Sequence, residues 1–89
     1  RYLSAAIGDD PAIALDLRSA FTGSARDLAD LMRRARCDAN WEVAALRLKG
    51  LAATFGIISL IELAEEAMAG APGDPLVLRR IIAAIDQIA

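Results

Sequence analysis

Residues that interrupt regular structure fall at only four places in this chain: Gly8 to Pro11, Cys37 to Asn40, Gly56, and Gly70 to Pro75. Between them no stretch keeps the strict apolar/polar alternation of a half-buried strand, and no internal repeat is visible. Apolar residues recur instead at spacings of three and four. The 89 residues are therefore expected to form a few helices joined by short turns.

Each segment carries its own start or stop signal. Tyr2 to Ile7 is predicted as a short helix that needs the rest of the chain to persist, because an isolated turn or two is unstable in water. Asp10 and Pro11 then suit the N-cap and first position of a helix running to about Arg36. Ile13, Leu17, Phe21, Leu28, Leu31 and Met32 are placed near its apolar face. Thr22-Gly23-Ser24 lies in its middle, where a glycine costs about 1 kcal/mol relative to alanine, so a bend or brief break is expected there. The cluster Arg33, Arg34 and Arg36 suits a helix C-terminal turn, where the dipole favours cations.

The next helix is expected after Asp38-Ala39-Asn40, capped by Asn40 or Asp38, and ends at Phe55 with Gly56 as its stop. Ile57 to about Ala69 follows, with Ile58, Leu60, Ile61, Leu63, Ala64 and Met68 apolar and Glu62, Glu65 and Glu66 towards water. Asp74-Pro75 opens the last helix, whose stripe is read as Leu76, Leu78, Ile81, Ile82, Ile85 and Ile88. Helices of this length with short connections predict an all-α fold, an antiparallel four-helix bundle with a short extra N-terminal helix, in a single domain over residues 1–89.

Composition narrows the function classes. Hydrophobic residues make up 56% and aromatics only 4%, which favours helices packed closely through alanine. A net charge of −2 gives no electrostatic footprint for nucleic acid. No apolar run reaches the roughly 20 residues of a membrane span. Cys37 is the only cysteine and the chain has no histidine. Neither a disulfide nor a zinc framework is available, and a thiol nucleophile would lack its usual base. A reducing, cytoplasmic setting is expected.

The third of these segments has an unusual outer face. With Leu46 at zero on a wheel of about 100° per residue, Trp41, Ala44, Leu48, Leu51, Ala52 and Phe55 gather on the opposite side and form the core face. Glu42, Val43, Lys49, Gly50 and Ala53 share the Leu46 side, with Arg47 and Thr54 at its edge. Gly50 stands mid-helix, where no turn is wanted and where a missing side chain permits close approach of another helix, a partner backbone or a ligand; its outward position argues against internal packing. This face reads as a shallow contact surface of Val43, Leu46, Arg47, Lys49, Gly50 and Ala53.

Ala45-Leu46-Arg47-Leu48-Lys49-Gly50 followed by Gly56 resembles the signature of histidine-containing phosphotransfer (HPt) domains, Ala-His-x-Leu-Lys-Gly with a glycine six residues on. Asp38-Ala39-Asn40-Trp41 is similar to that family's acidic and aromatic approach to the same helix. Ile58-Ser59-Leu60 with Leu63-Ala64 is similar to the helix after it, and Phe21 with Leu28 and Leu31 to the one before. The resemblance covers nearly the whole chain. It implies a four-helix bundle in two-component signalling, with receiver or histidine kinase domains as partners and no cofactor.

One departure decides what that family's chemistry can mean here. The phospho-accepting histidine falls on Leu46, which has neither a lone pair nor a titratable group. Lys49 matches the residue that in the family helps neutralise the phosphoryl group, and Gly50 the one that lets a receiver come close. The resemblance therefore implies a non-enzymatic, degenerate HPt module that keeps a docking surface. The alternative is a structural or dimerisation bundle with no phosphorelay role, in which a homodimer would bury the Leu46 face.

Other chemistries are poorly supported. Ser59 faintly resembles a phosphopantetheine-bearing serine, but Ile58 stands where the acid should be, and a serine in a helix's first turn is ordinary. Glu62, Glu65, Glu66 and Asp86 nominate no metal, since the glutamates fit a solvated face.

Overall fold

The computed structural model describes residues 11–89, with side chains from Leu15 onward. The expected Tyr2 to Ile7 helix, the Asp10 cap and the side chain of Ile13 lie outside the described residues. Four helices account for nearly all of what is described: α1 (Pro11–Arg34), α2 (Asp38–Phe55), α3 (Ile58–Ala69) and α4 (Pro75–Ile88). The connections at residues 35–37, 56–57 and 70–74 are long enough only to reverse the chain. Each helix packs on its chain neighbours, and α1 also packs on α4, which closes the ring. The result is the antiparallel four-helix bundle that the spacing predicts.

The core is built mainly from alanine between a few large side chains. Ala25 and Ala29 of α1, Ala44, Ala45 and Ala52 of α2, and Ala64 and Ala67 of α3 are all buried. Leu48, Leu60, Ile81 and Ile85 fill the middle, and aromatic residues close the two ends of α2. At its C-terminal end Phe21 and Phe55 meet with ring centroids 5.1 Å apart at 53°, a tilted contact that the ring quadrupoles favour. At its N-terminal end Trp41 is buried and its indole Nε1–H donates to the Ala67 carbonyl at 3.0 Å. That carbonyl lies in the last turn of α3, where intrahelical donors run out, so Trp41 satisfies it while pinning α2 to α3.

Two helix boundaries behave as the sequence indicates. Gly56 adopts a left-handed conformation with φ 71°. Its N–H donates to the Ala53 carbonyl at 3.2 Å, and the Ile57 N–H to the Ala52 carbonyl at 2.9 Å. Those two bonds make a Schellman stop. Asp74 caps α4, its carboxylate accepting the Leu76 N–H at 2.9 Å, with Pro75 in the first position.

Others depart from expectation. α2 begins a residue or more early: Cys37 is its N-cap, without a side-chain cap bond, and neither Asp38 nor Asn40 caps it. The Cys37 carbonyl already accepts the Trp41 N–H at 3.2 Å, so the helical ladder is running at Asn40. Asp38 instead places its charge in the first turn, where the dipole favours it. α1 runs unbroken through Thr22-Gly23-Ser24. Phe21, Thr22 and Ala25 are buried on either side of the glycine, and that packing outweighs its weak propensity.

The apolar stripes are also narrower than the sequence suggests. Leu31, Ile58, Leu76 and Ile82 are exposed. On α4, Leu76 and Ile82 stand about 140° and 100° from Ile81 on a helical wheel, outside the sector that two neighbouring helices cover. Val77, absent from the expected stripe, is buried in their place. On α3, Ile58 lies about 160° from Leu60 by the same spacing.

Candidate functional site

α2 has packed neighbours on two sides, α1 and α3, and its remaining face is open. Trp41, Ala44, Ala45, Leu48 and Ala52 are buried, and Leu51 and Phe55 are half-buried. Every residue named for the contact surface lies on the other side. Val43, Leu46, Arg47, Gly50 and Ala53 are exposed, and Lys49 is half-buried at the edge facing α3. Leu46 is 58% exposed, high for a leucine in the middle of a helix whose opposite side forms the core.

Gly50 is open to solvent, and a Cβ built there would meet no atom within 4 Å. No neighbouring helix requires a glycine at this position. Its cost to helix stability therefore has no return inside the bundle. The Thr54 hydroxyl donates back to the Gly50 carbonyl at 3.0 Å, so that polar group is satisfied within its own helix.

Lys49 is not a free cation. Its Nζ lies 3.0 Å from Glu65 Oε2 on α3. A surface pair of this kind contributes about 0–1 kcal/mol to stability, but it places a carboxylate beside the one ammonium of this face. Arg47, by contrast, makes no ion pair among the described residues.

Two shallow grooves flank the face and share Val43 as a ridge. One, of about 410 Å³, lies between α1 and α2 and is lined by Leu31, Arg34, Asn40, Val43 and Arg47 with two alanines. The other, of about 390 Å³, is lined by Ala39, Glu42, Val43, Leu46 and Met68. Leu31, Arg34 and Met68 thus join the surface from α1 and α3. The spacing places both apolar residues on the core side of their helices. Met68 does pack, half-buried, against the core and only borders its groove, whereas Leu31 is exposed, because the groove it borders exists only once the helices are assembled. Nothing local to Leu31 or Met68 marks them.

The side chains at this surface offer van der Waals contact, guanidinium hydrogen bonds and an ion pair. They include no histidine or cysteine; the Glu42 carboxylate lines one groove and that of Glu65 is paired with Lys49. Among the described residues no group of three His, Cys, Asp or Glu side chains is arranged to hold a metal, and no helix is long and apolar enough to cross a membrane. Cys37 is exposed and unpaired, at the N-cap of α2. Hydrogen bonds from Arg33 and then Arg34 lower the Asp30 carboxyl from its ordinary value. No protein-family model matches the chain, nor does any curated protein or solved structure.

Proposed function

We propose that this chain is a degenerate HPt module of two-component signalling, which docks receiver or kinase domains without carrying phosphate. The observation that carries the reading is Leu46: a leucine mid-way along α2, 58% exposed, standing where the Ala-x-x-Leu-Lys-Gly pattern calls for the phospho-accepting histidine. Three features of the same face support it. Gly50 is open and serves no internal packing. Val43 extends the apolar surface on one side, and Arg47 supplies at its edge a charge with no ion pair among the described residues.

The mechanism is occupancy. A partner that covers Leu46 removes just over half of a leucine's apolar surface from water, about 1–2 kcal/mol, and Gly50 lets the partner's backbone come close. Without an imidazole no phosphoryl group can be accepted at this position, so the module is not an enzyme. It would act by competing with a true phosphotransfer domain or by tethering a receiver, in the cytoplasm where those partners work. Lys49, held by Glu65, fits a surface that no longer manages a transferred phosphoryl charge.

The test pairs affinity with oligomeric state. Leu46→Asp, at an exposed position, should leave the fold intact and weaken a receiver complex about tenfold or more, since it buries an unpaired charge at the centre of the contact. An unchanged complex would refute the docking role. Sedimentation equilibrium of the free chain should give a monomer. A dimer that Leu46→Asp dissolves would instead mean that the face is a dimerisation surface.

A further inference from the structure

The groove between α1 and α2 has a charge pattern opposite to that of the whole chain. The chain carries a net charge of −2, yet the lining of this groove holds two guanidinium groups, Arg34 and Arg47, and no carboxylate. Asp30, one turn before Arg34 on α1, is already engaged, by Arg33 and by the Nε of Arg34 at 2.8 Å. Between the two arginines stand Leu31, 41% exposed, and Val43, 49% exposed, with the Asn40 amide alongside. A row of apolar side chains with cations at its margin is complementary to a strip of apolar side chains with carboxylates at its margin.

The shape of the seat selects the kind of element that carries such a strip. A partner strand needs an exposed sheet edge, and the described residues form helices only. A polyproline segment needs an aromatic-lined groove, whereas Phe21 and Trp41 are buried and Phe55 is half-buried. A furrow between two antiparallel helices accepts the side-chain ridge of a third.

Resting on the docking role above, we propose that the partner's docking element is an acidic amphipathic helix. It lies in the α1–α2 groove, with apolar anchors against Leu31 and Val43 and carboxylates on Arg47 and on the free amino groups of Arg34. Leu46 lies beyond the Val43 ridge and meets the remainder of the partner. Arg47 then sets which helices are accepted, and Leu46 sets how tightly a partner is held.

Two synthetic helical peptides of about 16 residues, long enough to hold helix in water, test this on the intact chain. Both carry leucines at i, i+3, i+4 and i+7; one has glutamates at the flanking positions and its twin has lysines. The acidic peptide should shift the amides of Leu31, Arg34, Val43 and Arg47 and bind about tenfold or more tightly than its twin at low salt. Arg47→Glu should remove that preference. Equal affinity for the twins, binding by neither, or a preference that survives Arg47→Glu would overturn the proposal. The parent reading is separable from it. A receiver whose binding falls with Leu46→Asp but is indifferent to Arg47→Glu would leave docking standing and remove the acidic helix.

Discussion

Replacing Gly50 by alanine should make the protein more stable while leaving it no better at its work. Gly50 lies inside α2, in a regular helical conformation, and a Cβ there meets nothing within 4 Å. The substitution therefore carries no steric penalty and gains the full difference in helix propensity, about 0.8–1.0 kcal/mol. In a domain of this size that corresponds to a rise in Tm of about 4–8 °C. Gly23 supplies an internal control, since it too lies mid-helix, is exposed and has an open Cβ position. Gly23→Ala should gain a similar amount in α1, and the two gains should add because the sites share no contact.

The two glycines should differ only towards a partner. Gly50→Gln places a long side chain one turn from Leu46 on the proposed docking face and should weaken the proposed receiver complex about tenfold, while its thermal stability still exceeds that of the parent. Gly23→Gln should leave the complex alone. Thermal unfolding followed by circular dichroism, beside titration calorimetry of the same variants, reads both effects. A fall in Tm for Gly50→Ala would refute the open Cβ position, and an unchanged complex for Gly50→Gln would refute close approach at this residue.

Three further outcomes follow from contacts elsewhere in the bundle. Trp41→Phe removes the indole donor and leaves the Ala67 carbonyl buried without its partner, so urea unfolding should show a loss of about 1–3 kcal/mol, with part of it from the smaller ring. The Asp30 carboxyl, whose ordinary value is 3.8, should titrate below that value by carbon-detected NMR and move back up in an Arg33→Gln, Arg34→Gln double variant. Because its folded pKa is depressed, whatever stability it contributes is present above the unfolded pKa and is lost as pH falls through the folded one. A double-mutant cycle on Lys49 and Glu65, each to alanine, should give a coupling under about 1 kcal/mol. A larger value would mean that the pair organises the α2–α3 contact.

Much of this architecture can be read from single residues. Gly56 needs only its own permissive backbone to stop α2, and Asp74-Pro75 needs only a carboxylate and a fixed φ to start α4, so both are local signals. The outward position of Leu46 follows from the spacing of Trp41, Ala44, Leu48 and Ala52 alone. The missed features are those set by two helices at once. Lys49 meets Glu65, and Trp41 meets the Ala67 carbonyl, only because α2 and α3 pack in one register. Leu31 is a surface residue only because the bundle leaves a groove beside Val43. Of the bend or brief break expected at Gly23, the break does not occur, for the same reason: tertiary burial of Phe21 and Ala25 outweighs a local preference.

The docking role of the Leu46 face is tested most directly by titrating the isotope-labelled chain with receiver domains encoded in the same genome and following backbone amide shifts. Shifts centred on Val43 to Ala53, saturable and lost in Leu46→Asp, are the predicted result. Shifts confined to another face, or none from any receiver at concentrations where weak signalling contacts register, would contradict it.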